Sequence, residues 1–389
     1  MAMRELRKDW ILPFSMFFGS FAWSFVFVSL PFYIQKMSTV DATATLRWTG
    51  WILGVSSLVT VVTAPFSAKL FGERHPKRSY IWTQLLQGSG FFLMAAARTL
   101  PELFFSRMLL GFMGAVSTFA FIMAGRSGGD VRRGVASIQS GMTLGQVLGP
   151  AVGAFAAARL GFRGSFVVAG FMLWACSAMV AWGVPYRPVA RSEHERPQTA
   201  SVREVGTVCL LVLAGSIQIF FLTAILPQIL PRLGVAPAMT LEVGGLLLFV
   251  TGAAAAAGAF AAPRLGEIVG DRRTIVWFLV ASSLGLAALA AAPDVWSFGV
   301  LRFLQVLCIA PVFPLSVAAI AQRASGTAIG IVNSSRIAAA FMGPVIATTL
   351  LAWIPPGAVY LVLASIGLLV VPLLRSLSGP GGASKEVRA

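Results

Sequence analysis

The chain predicts an all-α polytopic membrane protein, with twelve transmembrane helices forming two six-helix pseudo-symmetric halves. Three observations predict this. First, A, V, I, L, M, F, W, Y and C make up 57% of the 389 residues and charged residues only 11%, against about 25% charged in ordinary soluble domains. One soluble core could not shelter that much apolar side chain, whereas a bilayer can. Second, apolar runs of about 20 residues, the length one crossing needs, recur twelve times. Third, three chemically unusual places repeat half a chain apart. Gly149-Pro150 returns as Gly343-Pro344, 194 residues on. Arg107 returns as Arg302, 195 on. Glu73, with Lys77 and Arg78 behind it, returns as Glu267 with Arg272 and Arg273 behind it, again 194 on. Repeated order and spacing within one chain indicate a duplicated membrane unit.

The spans are read at about 11–34, 49–70, 79–97, 102–124, 135–157, 165–184, 206–229, 241–262, 274–292, 296–318, 328–352 and 357–375. Span 1 follows Arg4, Arg7 and Lys8. It is too long for a signal-peptide core and lacks a small-residue cleavage pattern, so it is read as a retained helix. Residues 1–186 form the N-terminal half and 205–376 the C-terminal half. Between them, RPVARSEHERPQTASVRE at 187–204 is a polar cytoplasmic linker. The tail at 377–389, rich in Gly, Ser and charge, is expected to be disordered.

Loop charge sets the orientation. With the N-terminus inside, the inner segments hold 21 Lys and Arg and the outer ones 6: Lys36, Arg47, Arg98, Arg159, Arg163 and Arg232. That split places both termini in the cytoplasm of a multi-pass cell-membrane protein. It also accounts for the net charge of +16 without a nucleic-acid partner, since the basic residues sit in short loops. Cys176, Cys209 and Cys308 fall inside apolar runs, and His75 and His194 fall in loops. No metal-ligand spacing, nucleophile–base pair or cofactor motif is visible. The chain is therefore read as a non-enzyme without a cofactor, working as a monomer in the lipid bilayer.

Several residues are candidates for moving parts. Gly141, Gly145, Gly149 and Gly153 recur every four residues in span 5, with Pro150 in register. The glycines let a neighbouring backbone approach and the proline favours a bend, so the face reads as a pivot, repeated at Gly343 and Pro344. In loop 2–3, Glu73, Arg74, Lys77 and Arg78, and in loop 8–9, Glu267, Asp271 and Arg272, place a carboxylate beside a basic cluster. That pattern suits an inner-face latch holding one state closed.

Other residues are candidates for the substrate cavity. Arg107, Arg302 and Arg336 lie inside spans, where a charge costs at least ~2.5–3.5 kcal/mol at a helix centre and faces a cavity or a partner. Phe17, Ser20, Ser24 and Phe27 share one face of span 1. Gln146, Gln218, Gln305 and Asn333 add amides, and Phe221 an aromatic ring. An aromatic cavity with sparse amides suits flat or amphipathic organic molecules. All fourteen Asp and Glu fall in loops or at span ends.

GERHPKR at 72–78, RMLLGFMGA at 107–115 and GMTLGQVLGPAVGA at 141–154 resemble the loop 2–3, helix 4 and helix 5 signatures of the major facilitator superfamily. The first departs from its pattern with Glu73 for the usual Asp and Pro76 for the usual Gly. The third resembles the antiporter motif of the drug:proton (multidrug efflux) branch. The resemblance covers nearly the whole chain. It implies alternating access, helices 1, 4, 7 and 10 lining the cavity, and export of small organic substrates coupled to protons. The expected function is thus efflux of hydrophobic or amphipathic compounds by proton antiport. An alternative is organic-anion transport through a cavity made positive by Arg107, Arg302 and Arg336. A third, remoter reading is a lipid-handling protein or a non-transporting receptor.

Overall fold

The computed structural model describes residues 10–67, 75–114, 116–125, 131–185, 201–321 and 326–376. They form α1 Ile11–Phe27, α2 Leu30–Met37, α3 Ala42–Ser67, α4 Pro76–Ala96, α5 Leu100–Phe112, α6 Val116–Gly125, α7 Val131–Gly183, α8 Val202–Phe220, α9 Leu222–Ile229, α10 Thr240–Val269, α11 Asp271–Ala288, α12 Val295–Ile309, α13 Val312–Ala321, α14 Gly326–Leu351 and α15 Pro356–Val370. No strand occurs among the described residues.

Ten helical stretches of the described chain are long and apolar enough to cross a membrane. One of them, Arg133–Gly183, has 51 residues, about twice what one crossing needs. It breaks at Gly161, where φ is 75° and ψ 164°, a conformation that glycine adopts at little cost. The 21-residue α4 is also long enough, but it buries Thr83, Gln84 and Gln87, which lowers its hydropathy. These helices fit a twelve-span arrangement.

Helix starts follow local chemistry. Ser201 and Glu204 form a capping box at α8, so this helix begins at Val202, inside the stretch assigned to the linker. Asp294 caps α12 by accepting from the N–H groups of Trp296 and Ser297, and Thr99 accepts from the Glu102 N–H at α5. Each cap satisfies backbone donors that the first turn leaves free.

Among the described residues, four spans are interrupted midway: at Val28–Ser29 between α1 and α2, at Met113–Gly114 after α5, at Phe221 between α8 and α9, and at Ala310–Pro311 between α12 and α13. Pro31 and Pro311 each lack the N–H that the carbonyl four residues earlier would accept. The interrupted spans are the first, fourth, seventh and tenth, so the breaks keep the repeat.

Seven of the eight exposed tryptophans of the described residues mark two levels, Trp174 in mid-span being the exception. Trp10, Trp82, Trp182 and Trp277 sit at the helix ends that the loop charges assign to the inside. Trp51, Trp296 and Trp353 sit at the opposite ends. Tryptophan favours the membrane–water boundary, where its ring is half sheltered and its N–H stays wet. Trp82 and Trp277 are themselves 195 positions apart.

Residues 1–192, 223–252 and 344–352 make one compact unit, and 193–222, 253–343 and 353–389 another. In the first, Leu12, Met16, Tyr80, Phe119, Ala120, Ile138 and Val180 form an apolar core. In the second, Val208, Leu211, Val212, Ile275, Leu279, Val306, Ile309 and Val332 do the same.

Candidate functional site

In the first unit, the break after α5 interrupts the helical ladder, and neighbouring side chains donate to carbonyls there. Gln87 Nε2 donates to the Met113 carbonyl at 2.5 Å, and Thr60 Oγ1 to the Gly111 carbonyl at 2.9 Å. Trp23 Nε1 donates in turn to Gln87 Oε1 at 3.1 Å. Arg107 lies beside this chain, only 2% exposed. Its Nε donates to the Ile52 carbonyl at 3.2 Å, and its Nη2 to the Leu53 carbonyl at 3.1 Å and to Ser56 Oγ at 2.8 Å. The guanidinium lies 5.3 Å from the centre of the Trp23 ring and 5.9 Å from that of Phe27.

The second unit repeats the arrangement with different atoms. Gln218 Oε1 accepts from Ser282 Oγ at 2.7 Å and from Gln305 Nε2 at 3.1 Å, while its Nε2 donates to Ser283 Oγ at 3.0 Å. Arg302 is fully buried. It donates to the Gln218 and Ile219 carbonyls at 2.8 and 2.9 Å, just before the break at Phe221, and to Gln305 Oε1. The Phe221 ring centre lies 5.1 Å from its guanidinium. Both arginines thus direct donors onto backbone and side-chain oxygens inside their own bundles, with the buried Nε of Arg302 left unpartnered. Each of these bonds is made to a dipole, not to a carboxylate.

Arg336 differs. It is half-buried on α14, with its guanidinium 5.2 Å from the Phe313 ring centre. Its buried Nε has no hydrogen-bond partner. Asn333, one turn earlier, is exposed.

The structure splits the candidate face of span 1. Ser20 Oγ donates to the Met142 carbonyl at 2.9 Å, and Gly145 lies against Ser20 and the Phe17 carbonyl. Gly149 lies against Ser24 and Phe21, and Gly153 against Phe25. Phe27 turns instead to Arg107. Gln146 is exposed, whereas Gln218, Phe221 and Gln305 are buried. The glycine face of α7 therefore seats the α1 backbone, and Gly343 seats the α8 backbone near Ile217 and Phe221.

A second set of close approaches lies within the first unit. A Cβ on Gly50 would meet Thr348 Oγ1, lie 3.0 Å from Val345 Cα and lie 3.2 Å from the Pro344 carbonyl. A Cβ on Gly245 would meet Ala154 Cβ, lie 2.8 Å from the Pro150 carbonyl and lie 3.5 Å from Ala151 Cα. Gly50 and Gly245 are 195 positions apart, and the residues they meet are 194 apart. One contact is thus built twice, each time from a glycine and the turn that starts at a Gly-Pro proline.

Of the latch residues, Glu73 and Arg74 lie outside the described residues. Lys77 Nζ donates to the Ala181 carbonyl at 2.8 Å, complementing the negative end of the second half of α7. Burial holds its ammonium below the usual lysine range. Arg78, Glu267, Asp271 and Arg272 are exposed. Glu242, in the first turn of α10, has a buried Oε2 with no partner. Sequence reasoning missed the four breaks, Gln87, Ser282, Gly50 and Gly245. The 195-residue offset that links Trp23 to Gln218, Gln87 to Ser282 and Gly50 to Gly245 was the available signal.

Broken helices repeated twice, buried cations held by dipoles and apolar helices of membrane-crossing length define a polytopic membrane protein. The chain belongs to the Major Facilitator Superfamily, which it matches over residues 12–240 and 208–388. It is 27% identical over 348 residues to the "Uncharacterized MFS-type transporter YuxJ" of Bacillus subtilis (strain 168), covering 85% of this chain and 87% of that one. It is 26% identical over 320 residues to "Multidrug resistance protein MdtG" of Serratia proteamaculans (strain 568), covering 77% and 75%. Solved structures with the same fold include the nucleoside transporter NupG, with TM-score 0.71, 12% identity and coverage of 95% of this chain and 98% of that one. The human organic anion transporter MFSD10 (TETRAN) has TM-score 0.70, 16% identity and coverage of 95% and 99%.

Proposed function

We propose that the chain exports small hydrophobic or amphipathic organic compounds across the cell membrane by alternating access, with protons as the coupling ion. The observation that carries the reading is the duplicated contact of Gly50 on Pro344–Thr348 and Gly245 on Pro150–Ala154. Two equivalent contacts without interlocking side chains can part together and re-form together, which a gate on one face of the membrane requires. Relatives named as multidrug resistance proteins support export as the direction and amphipathic compounds as the cargo. Glu242 is one turn from Gly245, and its unpartnered oxygen supports a proton site that gains water when that contact opens.

The test is transport by purified protein in proteoliposomes. Ethidium should move only in protein-containing vesicles, with an opposing proton flux that Glu242→Gln reduces. Ethidium flux indifferent to an imposed pH gradient would sink the antiport part, and no flux of any organic probe would sink export. The second reading, organic-anion transport, is favoured by the single observation that Arg336 makes no hydrogen bond among the described residues, whereas Arg107 and Arg302 each make three.

A further inference from the structure

We infer that Arg336, with Asn333 on the same helical face and the Phe313 ring beneath its guanidinium, forms a subsite for the anionic group of an aromatic substrate, a carboxylate or another singly charged oxyanion. The inference rests on the export reading and names the chemistry of the cargo.

Three arginines lie within spans, and two are held by several oxygens, although Arg302 Nε, like Arg336 Nε, has no partner. Arg107 makes hydrogen bonds to Ile52, Leu53 and Ser56, and Arg302 to Gln218, Ile219 and Gln305. Arg336 has no hydrogen bond among the described residues, and its Nε is closed off from solvent. Its neighbours do not help. Ser334 Oγ donates to the Gly330 carbonyl at 3.0 Å and Ser335 Oγ to the Ile331 carbonyl at 3.3 Å, so both hydroxyls turn back onto their own helix. The described carboxylates of the second unit, Glu204, Glu267, Asp271 and Asp294, all lie at helix ends.

A cation without partners inside a span is costly, and a buried unmade hydrogen bond adds to that cost. An arriving oxyanion removes both penalties at once. The guanidinium fork suits a planar carboxylate, which it holds through two parallel bonds. Phe313 fixes the plane of the fork by cation–π contact and offers a face for an aromatic ring attached to the anion. Asn333, three positions before Arg336, lies on the same side of α14 and supplies an amide for a neighbouring polar atom. Arg336 is ten positions into α14, ~15 Å along the helix at 1.5 Å per residue. That is about the middle of a hydrocarbon layer ~30 Å thick, beyond the level of a lipid headgroup, so the occupant is a substrate and not a bilayer lipid.

A matched pair of fluorescent probes tests this: dansylglycine, which carries a carboxylate, and dansylglycinamide, its neutral counterpart. Equilibrium binding is read on the purified full chain, in detergent and again with anionic phosphatidylglycerol added. The wild type should prefer dansylglycine by ~10-fold. Arg336→Gln should abolish the preference, and a thermal midpoint no lower than that of the wild type shows that the variant is folded. Arg336→Lys, which keeps the charge and loses the fork, should retain only part of the preference, and Phe313→Leu should weaken it. Equal binding of the two probes by wild type, binding of neither, or a preference that survives Arg336→Gln would overturn the proposal. Competition by phosphatidylglycerol would overturn the assignment to substrate. Ethidium transport is measured on the same variants, so the subsite can fall while export stands.

Discussion

Ser282 donates to Gln218 at 2.7 Å in the second bundle, at the place where Trp23 donates to Gln87 at 3.1 Å in the first, and each pair is separated by 64 positions. The duplication has kept the site of the bond while changing both residues. In the first bundle the amide is on α4 and passes the chain on to the Met113 carbonyl. In the second it is on α8 and meets Gln305 and two serines.

Gln87→Leu removes the group that satisfies the Met113 carbonyl at the break after α5. An orphaned buried acceptor costs about 1–3 kcal/mol, so the thermal midpoint in detergent should fall by several degrees. Trp23→Phe alone should cost less. The double variant should show a coupling of about 1 kcal/mol, because Trp23 acts on the break only through Gln87. Strict additivity would show that the chain of bonds carries no cooperative stability.

Arg302→Met should destabilise the protein by about 2–4 kcal/mol, since it leaves the Gln218 and Ile219 carbonyls unpaired at the Phe221 break. Arg336→Gln should leave the thermal midpoint unchanged or raise it, because no hydrogen bond is lost and an isolated charge is removed. Equal losses in the two variants would contradict the distinction between a structural and a free guanidinium.

Gly245→Leu places side-chain atoms where the Pro150 carbonyl and Ala154 now lie. It should part the contact, as Gly50→Leu should at the equivalent place. In a background with Cys176, Cys209 and Cys308 replaced, a cysteine put at Ala154 should react with a membrane-impermeant maleimide ~10-fold faster in either variant, and transport should slow. An unchanged labelling rate would mean that the contact does not open in the cycle.

Asp294 lies outside the spans, and its carboxylate accepts from the Ser297 and Trp296 N–H groups, which hold its pKa below the ordinary value. A depressed carboxylate pKa contributes stability above the unfolded value and loses it as pH falls through the folded one. The stability difference between wild type and Asp294→Asn should therefore be full near neutral pH and shrink below about pH 4. A difference that grows on acidification would exclude the cap as its origin.

The twelve runs, the loop charges and the half-chain echo were legible because they are local or periodic properties of the chain. Gly145, Gly149 and Gly153 were legible as a packing face, but what they pack against was not, since every helix offers a backbone. Arg107 and Arg302 could be read as costly, yet not as held in place: most of their acceptors are main-chain carbonyls, which every residue carries and no sequence displays. Phe221, with no proline or glycine beside it, gives no local sign that α8 ends there. Gly50 and Gly245 look like ordinary membrane glycines until their shared offset is set beside that of Pro150 and Pro344.

The seam of α7 glycines against α1 has a mechanical meaning. Phe17, Phe21 and Phe25 present their backbone to Gly145, Gly149 and Gly153, with only the small side chains of Ser20 and Ser24 beside them, and Ser20 ties the same two helices at Met142. Two rods joined along three successive turns behave as a single beam. A pair of spectroscopic labels on α1 and the first half of α7 should hold a constant separation throughout the transport cycle, which makes that beam a fixed ruler against which every other displacement in the molecule can be measured.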